Sequence, residues 1–125
     1  MKTQEIPRAE WPAFLDSFTS RYKEWLIDLE VFGTEIGSQM EAEGLPFEGI
    51  TAELGNGKPD MIEIMLGTDP DDHITHSITA PSQVSVEKTE EGADAALAIK
   101  ASDGTTTLLR FRAVVLPEMV DSIAT

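Results

Sequence analysis

Apolar side chains near the start of the chain recur with a helical period and then switch to strict alternation. In RAEWPAFLDSFTSRYKEW, Trp11, Phe14, Leu15, Phe18 and Tyr22 fall at i, i+3, i+4, i+7 and i+11, one face of an amphipathic helix. Asp16, Ser17, Ser20 and Arg21 take the opposite face. Pro7 and Pro12 stand where a missing amide hydrogen costs least, so the helix is expected from about residue 8 or 11 to about 21. After Lys23 the period becomes two: Trp25, Ile27, Leu29 and Val31 alternate with Leu26, Asp28, Glu30 and Phe32. That is a strand with one buried face, ended by Gly33.

TEIGSQMEAEGLP, punctuated by glycines, fits either a short strand or a helical turn. From Phe47 onward the strand signals are regular. FEGITAEL and DMIEIMLG flank GNGKP, whose Asn56-Gly57 pair suits a tight hairpin turn. HITHSITA and QVSVEKT are separated by Pro81 and Ser82, and AALAIKAS and TTTLLRFRA flank a second hairpin signal, Asp103-Gly104. LPEMVDSI fits one helical turn begun at Pro117. About seven strands joined mostly by connections too short for helices imply antiparallel pairing. The expected fold class is α+β: an N-terminal amphipathic helix packed on a curved, mostly antiparallel sheet or a small, partly open β-barrel.

A length of 125 residues, 41% of them hydrophobic, suits one domain with a real core. The absence of cysteine excludes disulfides, thiolate metal sites and cysteine nucleophiles. No stretch has signal-peptide or membrane-spanning character, so a soluble cytoplasmic protein is expected. Acids outnumber bases 23 to 9, and the excess is local. From Glu24 to Asp72 thirteen acids face the single base Lys58, a net of −12, whereas residues 1–23 carry +1 and residues 73–125 carry −3. Such a field repels phosphate backbones and argues against nucleic acid as a partner. It fits a solvated surface, an adaptation to high salt, or a face for a basic protein.

Candidate chemistry centres on DPDDHITHSI, which holds both histidines. On a helix, His73 and His76 would share a face and could grip one ion; on a strand they point apart. Ile74, Thr75, Ile78 and Thr79 are β-branched and favour the strand. His76, in line with Ile74 and Ile78, is then expected inside and hydrogen-bonded, and His73 exposed. No second ligand cluster accompanies them, so neither a metal nor another cofactor is expected, and the aspartates lack the spacing of a calcium loop. ELGNGKPD fails as a phosphate loop because proline follows Lys58, and no serine has a nucleophile-elbow context. Asp28 and Glu30 share the outer side of a strand. Glu63, between Met61 and Met65 on its side of the strand, is the carboxylate best placed for an unusual environment. Arg110 and Arg112 share a strand face opposite Leu109 and Phe111 and either hold an anion or pair with acids across the sheet.

IPRAEWPAFLDSF, EAEGLPFEGI, DDHITHSI, DGTTTLLRFR and LPEM together resemble a family of short bacterial proteins of unknown function, over nearly the whole chain. The resemblance implies a stand-alone bacterial cytoplasmic protein and carries over no catalytic residue. The expectation is therefore a non-enzymatic acidic module acting through a protein partner or self-association, at the acidic segment 24–72 or the outer sheet face. The alternative is a barrel that binds a small anionic ligand or catalyses a reaction, with His76, Arg110, Arg112 and Glu63 near a pocket.

Overall fold

The computed structural model describes residues 2–35, 37–67, 69 and 71–112; the turn expected at Pro117 lies outside them. Strand β1 (Lys2–Ile6) leads through a short 3-10 turn, Arg8–Glu10, into α1 (Trp11–Tyr22). There follow β2 (Leu26–Gly33), β3 (Gly37–Glu53), β4 (Met61–Leu66), β5 (Ile74–Thr79), β6 (Pro81–Lys88), β7 (Asp94–Ala101) and β8 (Thr106–Phe111). The eight strands form one antiparallel sheet in the order β1-β6-β7-β8-β2-β3-β4-β5. β5 lies at one end of that order and β6 next to the other, yet only Ala80 separates them in sequence. The sheet therefore curls round on itself, but its two edge strands, β1 and β5, do not pair to close a barrel. At the corner, Ala80 takes φ 55°, donates its N–H to Asp60 O (2.9 Å) and accepts from Ser102 N (2.9 Å).

β3 makes the curl possible. The glycine-punctuated stretch that fits either strand or helical turn is the first half of one 17-residue strand. That half pairs with β2 and the second half with β4. Its register slips at two places against β2 and once more between Phe47 and Gly49 against β4. Each slip is a bulge that bends the strand and increases its twist, so one strand can serve two differently oriented parts of the sheet. Asp28 Oδ1 fixes one of these irregularities by accepting from Gly44 N at 2.7 Å.

The helical stripe packs as its period requires. Trp11, Leu15, Phe18 and Tyr22 are buried, and Phe14 packs partly against them. They meet Ile27 and Leu29 of β2, Phe47 and Ile50 of β3, and Leu97, Leu109 and Phe111 of β7 and β8 in one core. Buried polar groups on this side find partners. Trp11 Nε1 donates to Ile6 O (2.8 Å), and Ile50 N donates to Thr19 Oγ1 (2.9 Å). Tyr22 Oη donates to the Asp94 carboxylate, which Arg21 and Lys88 also approach at 3.5 and 3.8 Å. Burial, reinforced by that carboxylate, pushes the Tyr22 hydroxyl up to about 12.

The β3–β4 connection departs from the tight turn expected at Asn56-Gly57. Gly57 has a positive φ and Asn56 does not, and the ladder stops at Glu53 and Met61. Asp60 holds the longer loop together: Oδ1 accepts from Gly55 N (2.8 Å), and the carboxylate takes a bidentate pair from Arg8 at 2.7 and 2.8 Å. The Arg8 guanidinium, then the Gly55 amide, lower its pKa from 3.8 to about 2. Between those values the unfolded chain binds the proton and the folded chain does not. The contribution of Asp60 to stability is therefore present above pH 3.8 and is lost as pH falls through about 2. Asp60→Asn should flatten the stability profile across this window, measured as urea midpoints at successive pH values. A variant with the wild-type slope would contradict the assignment.

Candidate functional site

The alternation of β5 separates the two histidines. His73, just before the strand, is exposed, with Nε2 3.7 Å from Glu48 Oε2 of β3. His76 is half-buried in line with Ile74 and Ile78, and its Nε2 lies 3.3 Å from Thr107 Oγ1 of β8. The two rings thus take partners on different strands. Among the described residues, no three histidine, aspartate or glutamate side chains gather where they could hold a metal ion. Burial lowers the His76 pKa from its usual 6.5, and the Glu41 carboxylate pulls weakly the other way. The fold therefore favours the neutral ring, and acidification below pH 6.5 erodes the stability it contributes. In an NMR titration His76 should have its midpoint below 6.5; a midpoint above that value would mean the ring is not desolvated in solution.

His76 lines a cleft of about 210 Å³ between β5 and the β7–β8 turn, together with Ser77, Thr79, Asp103, Thr105 and Thr107. A neighbouring hollow of about 330 Å³ shares Asp103 and Thr105 and extends to Thr34 and Glu35. The Asp103-Gly104 hairpin signal is realised here. Asp103 Oδ1 accepts from Thr105 N (2.9 Å) and Oγ1 (2.8 Å), and these two bonds hold its carboxyl below the usual range. The cleft thus offers a neutral imidazole, hydroxyls and an ionised carboxylate: an arrangement able to accept hydrogen bonds and attract a cation, with no fixed positive charge for an anion.

The other expected site residues lie elsewhere. Glu63 sits mid-β4 between Thr51 and Ser77 on neighbouring strands. Arg110 Nη1 donates to Glu30 Oε1 at 3.2 Å and Arg112 Nε to Asp28 Oδ1 at 3.0 Å, across the β2–β8 ladder. None of these three lines the His76 cleft. The structure therefore joins His76 to Thr107 and Asp103 rather than to the arginines. Thr107 was legible: the alternation that buries Leu109 and Phe111 buries it too, at 3% exposure. Asp103 carried only a turn signal, because its approach to β5 depends on the curl of the sheet.

No described helix is long and apolar enough to cross a membrane. Residues 2–119 match the model of a family of unknown function, DUF5335. An uncharacterized protein of Aquifex aeolicus (strain VF5) is 31% identical over 119 residues, covering 94% of this chain and 100% of that protein. No solved structure matches the chain. A family match over nearly the full length, joined to a relative aligned end to end, places the sequence plainly: it belongs to the DUF5335 family.

Proposed function

We propose that the protein is a cytoplasmic, non-enzymatic module that binds a basic protein partner through its acidic side. The observation that carries this reading is the uneven pairing of charge over the sheet. On the outer face of β8 and β2 the cations are matched, Arg110 with Glu30 and Arg112 with Asp28. Toward β3, β4 and β5 the carboxylates of Glu53, Glu63, Asp69, Asp71 and Asp72 have no ion-pair partner among the described residues. Unpaired carboxylates grouped on one side form a field that steers a basic surface toward them. A barrel that binds an anionic ligand through His76, Arg110, Arg112 and Glu63 has less support, because both arginines are already engaged and point away from the cleft.

The test is native mass spectrometry of the protein purified from its own host at low and high ionic strength, repeated with Glu53→Lys/Glu63→Lys. A stoichiometric complex with a basic protein is expected. It should dissociate between about 0.05 and 0.5 M salt, as screening shortens the reach of exposed charges, and be weakened by the charge reversal. A partner-free chain whose stability climbs steeply with salt would favour salt adaptation instead, and a bound small molecule would favour the pocket.

A further inference from the structure

Among the described residues the sheet has two edge strands, β1 and β5, and they differ in how they are protected. β1 presents the charged and polar side chains Lys2, Gln4 and Glu5 and runs into Pro7, devices that discourage another strand from pairing. β5 has none of them. Its sequence ITHSIT contains no lysine, no acid and no proline, and its register with β4 runs from Leu66↔Ile74 to Met61↔Thr79 without a shift. β4 occupies one side; the backbone groups of Ile74–Thr79 on the other side have no backbone partner among the described residues. Ser102 N pins the chain at Ala80 O. Beyond that pinch no backbone bond joins β5 to β7 or β8, and the cleft of about 210 Å³ lies between them.

We infer that β5 is a docking edge that takes up an extended, basic segment of a partner protein as an added antiparallel strand. Backbone hydrogen bonds supply the affinity in such pairing, and alternate side chains supply the selectivity. Here the selectivity is electrostatic. Asp71 and Asp72 precede the edge, Glu63 stands opposite Ser77 on β4, and Asp103 lies across the cleft. An incoming strand with lysine or arginine at alternate positions would turn those side chains toward carboxylates while its backbone pairs with β5. The same charges disfavour a second copy of this chain: two β5 edges paired antiparallel would bring together the acids of two molecules, each of net charge −14.

The inference rests on the acidic-module reading and narrows it to one edge, so the experiment separates the two. The probe is a capped peptide of about ten alternating lysines and valines, long enough to span β5. Its twin is methylated on the central backbone nitrogens, which keeps the charge and removes the donors on both edges. The full-length protein is titrated with each while amide hydrogen exchange is followed. The expected result is binding of the first peptide with new protection confined to Ile74–Thr79, and binding of the twin weakened by about tenfold or more, as the loss of more than one net hydrogen bond implies. Equal binding of both without protection at β5 would overturn the docking edge and leave charge attraction standing. Failure of both peptides to bind would overturn the edge and the acidic-module reading together. Protection of β5 that appears in the protein alone as concentration rises would assign the edge to a second copy and overturn the inference.

Discussion

Phe18→Ala is expected to cost about 3–5 kcal/mol of folding stability, the range for truncating a well-packed core aromatic, and so a large fraction of the about 5–15 kcal/mol that holds a domain of this kind together. The ring is 2% exposed. Its centroid lies 4.8 Å from Tyr22 on the same helix, 5.8 Å from Phe47 of β3 and 5.9 Å from Phe111 of β8. Phe47 sits where β3 passes from its pairing with β2 to its pairing with β4, and Phe111 ends the ladder between β8 and β2. Phe18 thus keys the helix to both parts of the curled sheet, and the hole left by alanine could close only if the helix moved relative to both. Phe14, one turn earlier and only partly buried, should lose about 1–2 kcal/mol in the same substitution, since less of its surface returns to water. Urea denaturation of both variants measures the difference. Should Phe18→Ala be too unstable to purify, Phe18→Leu preserves the test with a smaller cavity. Equal losses at the two positions would mean that the helix is not locked to the sheet through this ring.

What the sequence displayed follows from which structures leave a periodic trace. The helix and β2 were legible because each buries one face: Trp11 to Tyr22 repeat every three or four residues, and Ile27, Leu29 and Val31 every second. The divergence of His73 and His76 followed from the same rule of two. β1 escaped because KTQEI exposes every side chain except Ile6; an edge strand lying over the end of a sheet has almost no buried face to mark it. The first half of β3 escaped for a related reason. Bulges interrupt the alternation there, so Ala42 is the lone buried residue in GSQMEAEG and no period survives. β5 and β6 were each recognisable as strands. That they lie in distant parts of one sheet was not, because nothing local in ITAPSQ states that Ala80 turns a corner. The candidate site was legible only in part for the same cause: His76 and Thr107 are inward residues by alternation, but their meeting at 3.3 Å is set by the curl of the whole sheet.

The β4–β5 connection tests whether the docking edge is held in place by local backbone geometry, and Gly67→Ala is expected to be strongly damaging for a single added methyl, at about 3 kcal/mol or more. Two costs combine. Gly67 has φ +86°, a conformation that costs an L-residue about 1–2 kcal/mol. An added Cβ would also lie 2.4 Å from Asp72 O and 3.1 Å from His73 Cα, backbone atoms that cannot rotate aside. The residue is buried, and its N–H donates to Pro46 O at 2.8 Å, so relief by shifting Gly67 itself would break a bond to β3. Gly57 isolates the first cost: its φ is +84°, yet nothing lies within 4 Å of an added Cβ, and Gly57→Ala should lose only that backbone cost of about 1–2 kcal/mol. The clash at Gly67 falls on the segment that delivers His73 and Ile74 to the start of β5. Its effect should therefore reach beyond global stability, with faster hydrogen exchange at Ile74–Thr79 and weaker binding of the basic peptide under conditions where the variant remains folded. Equal losses for the two alanines would mean that the chain between Gly67 and His73 yields at little cost, and that the geometry of the β5 edge is set by its ladder with β4 alone.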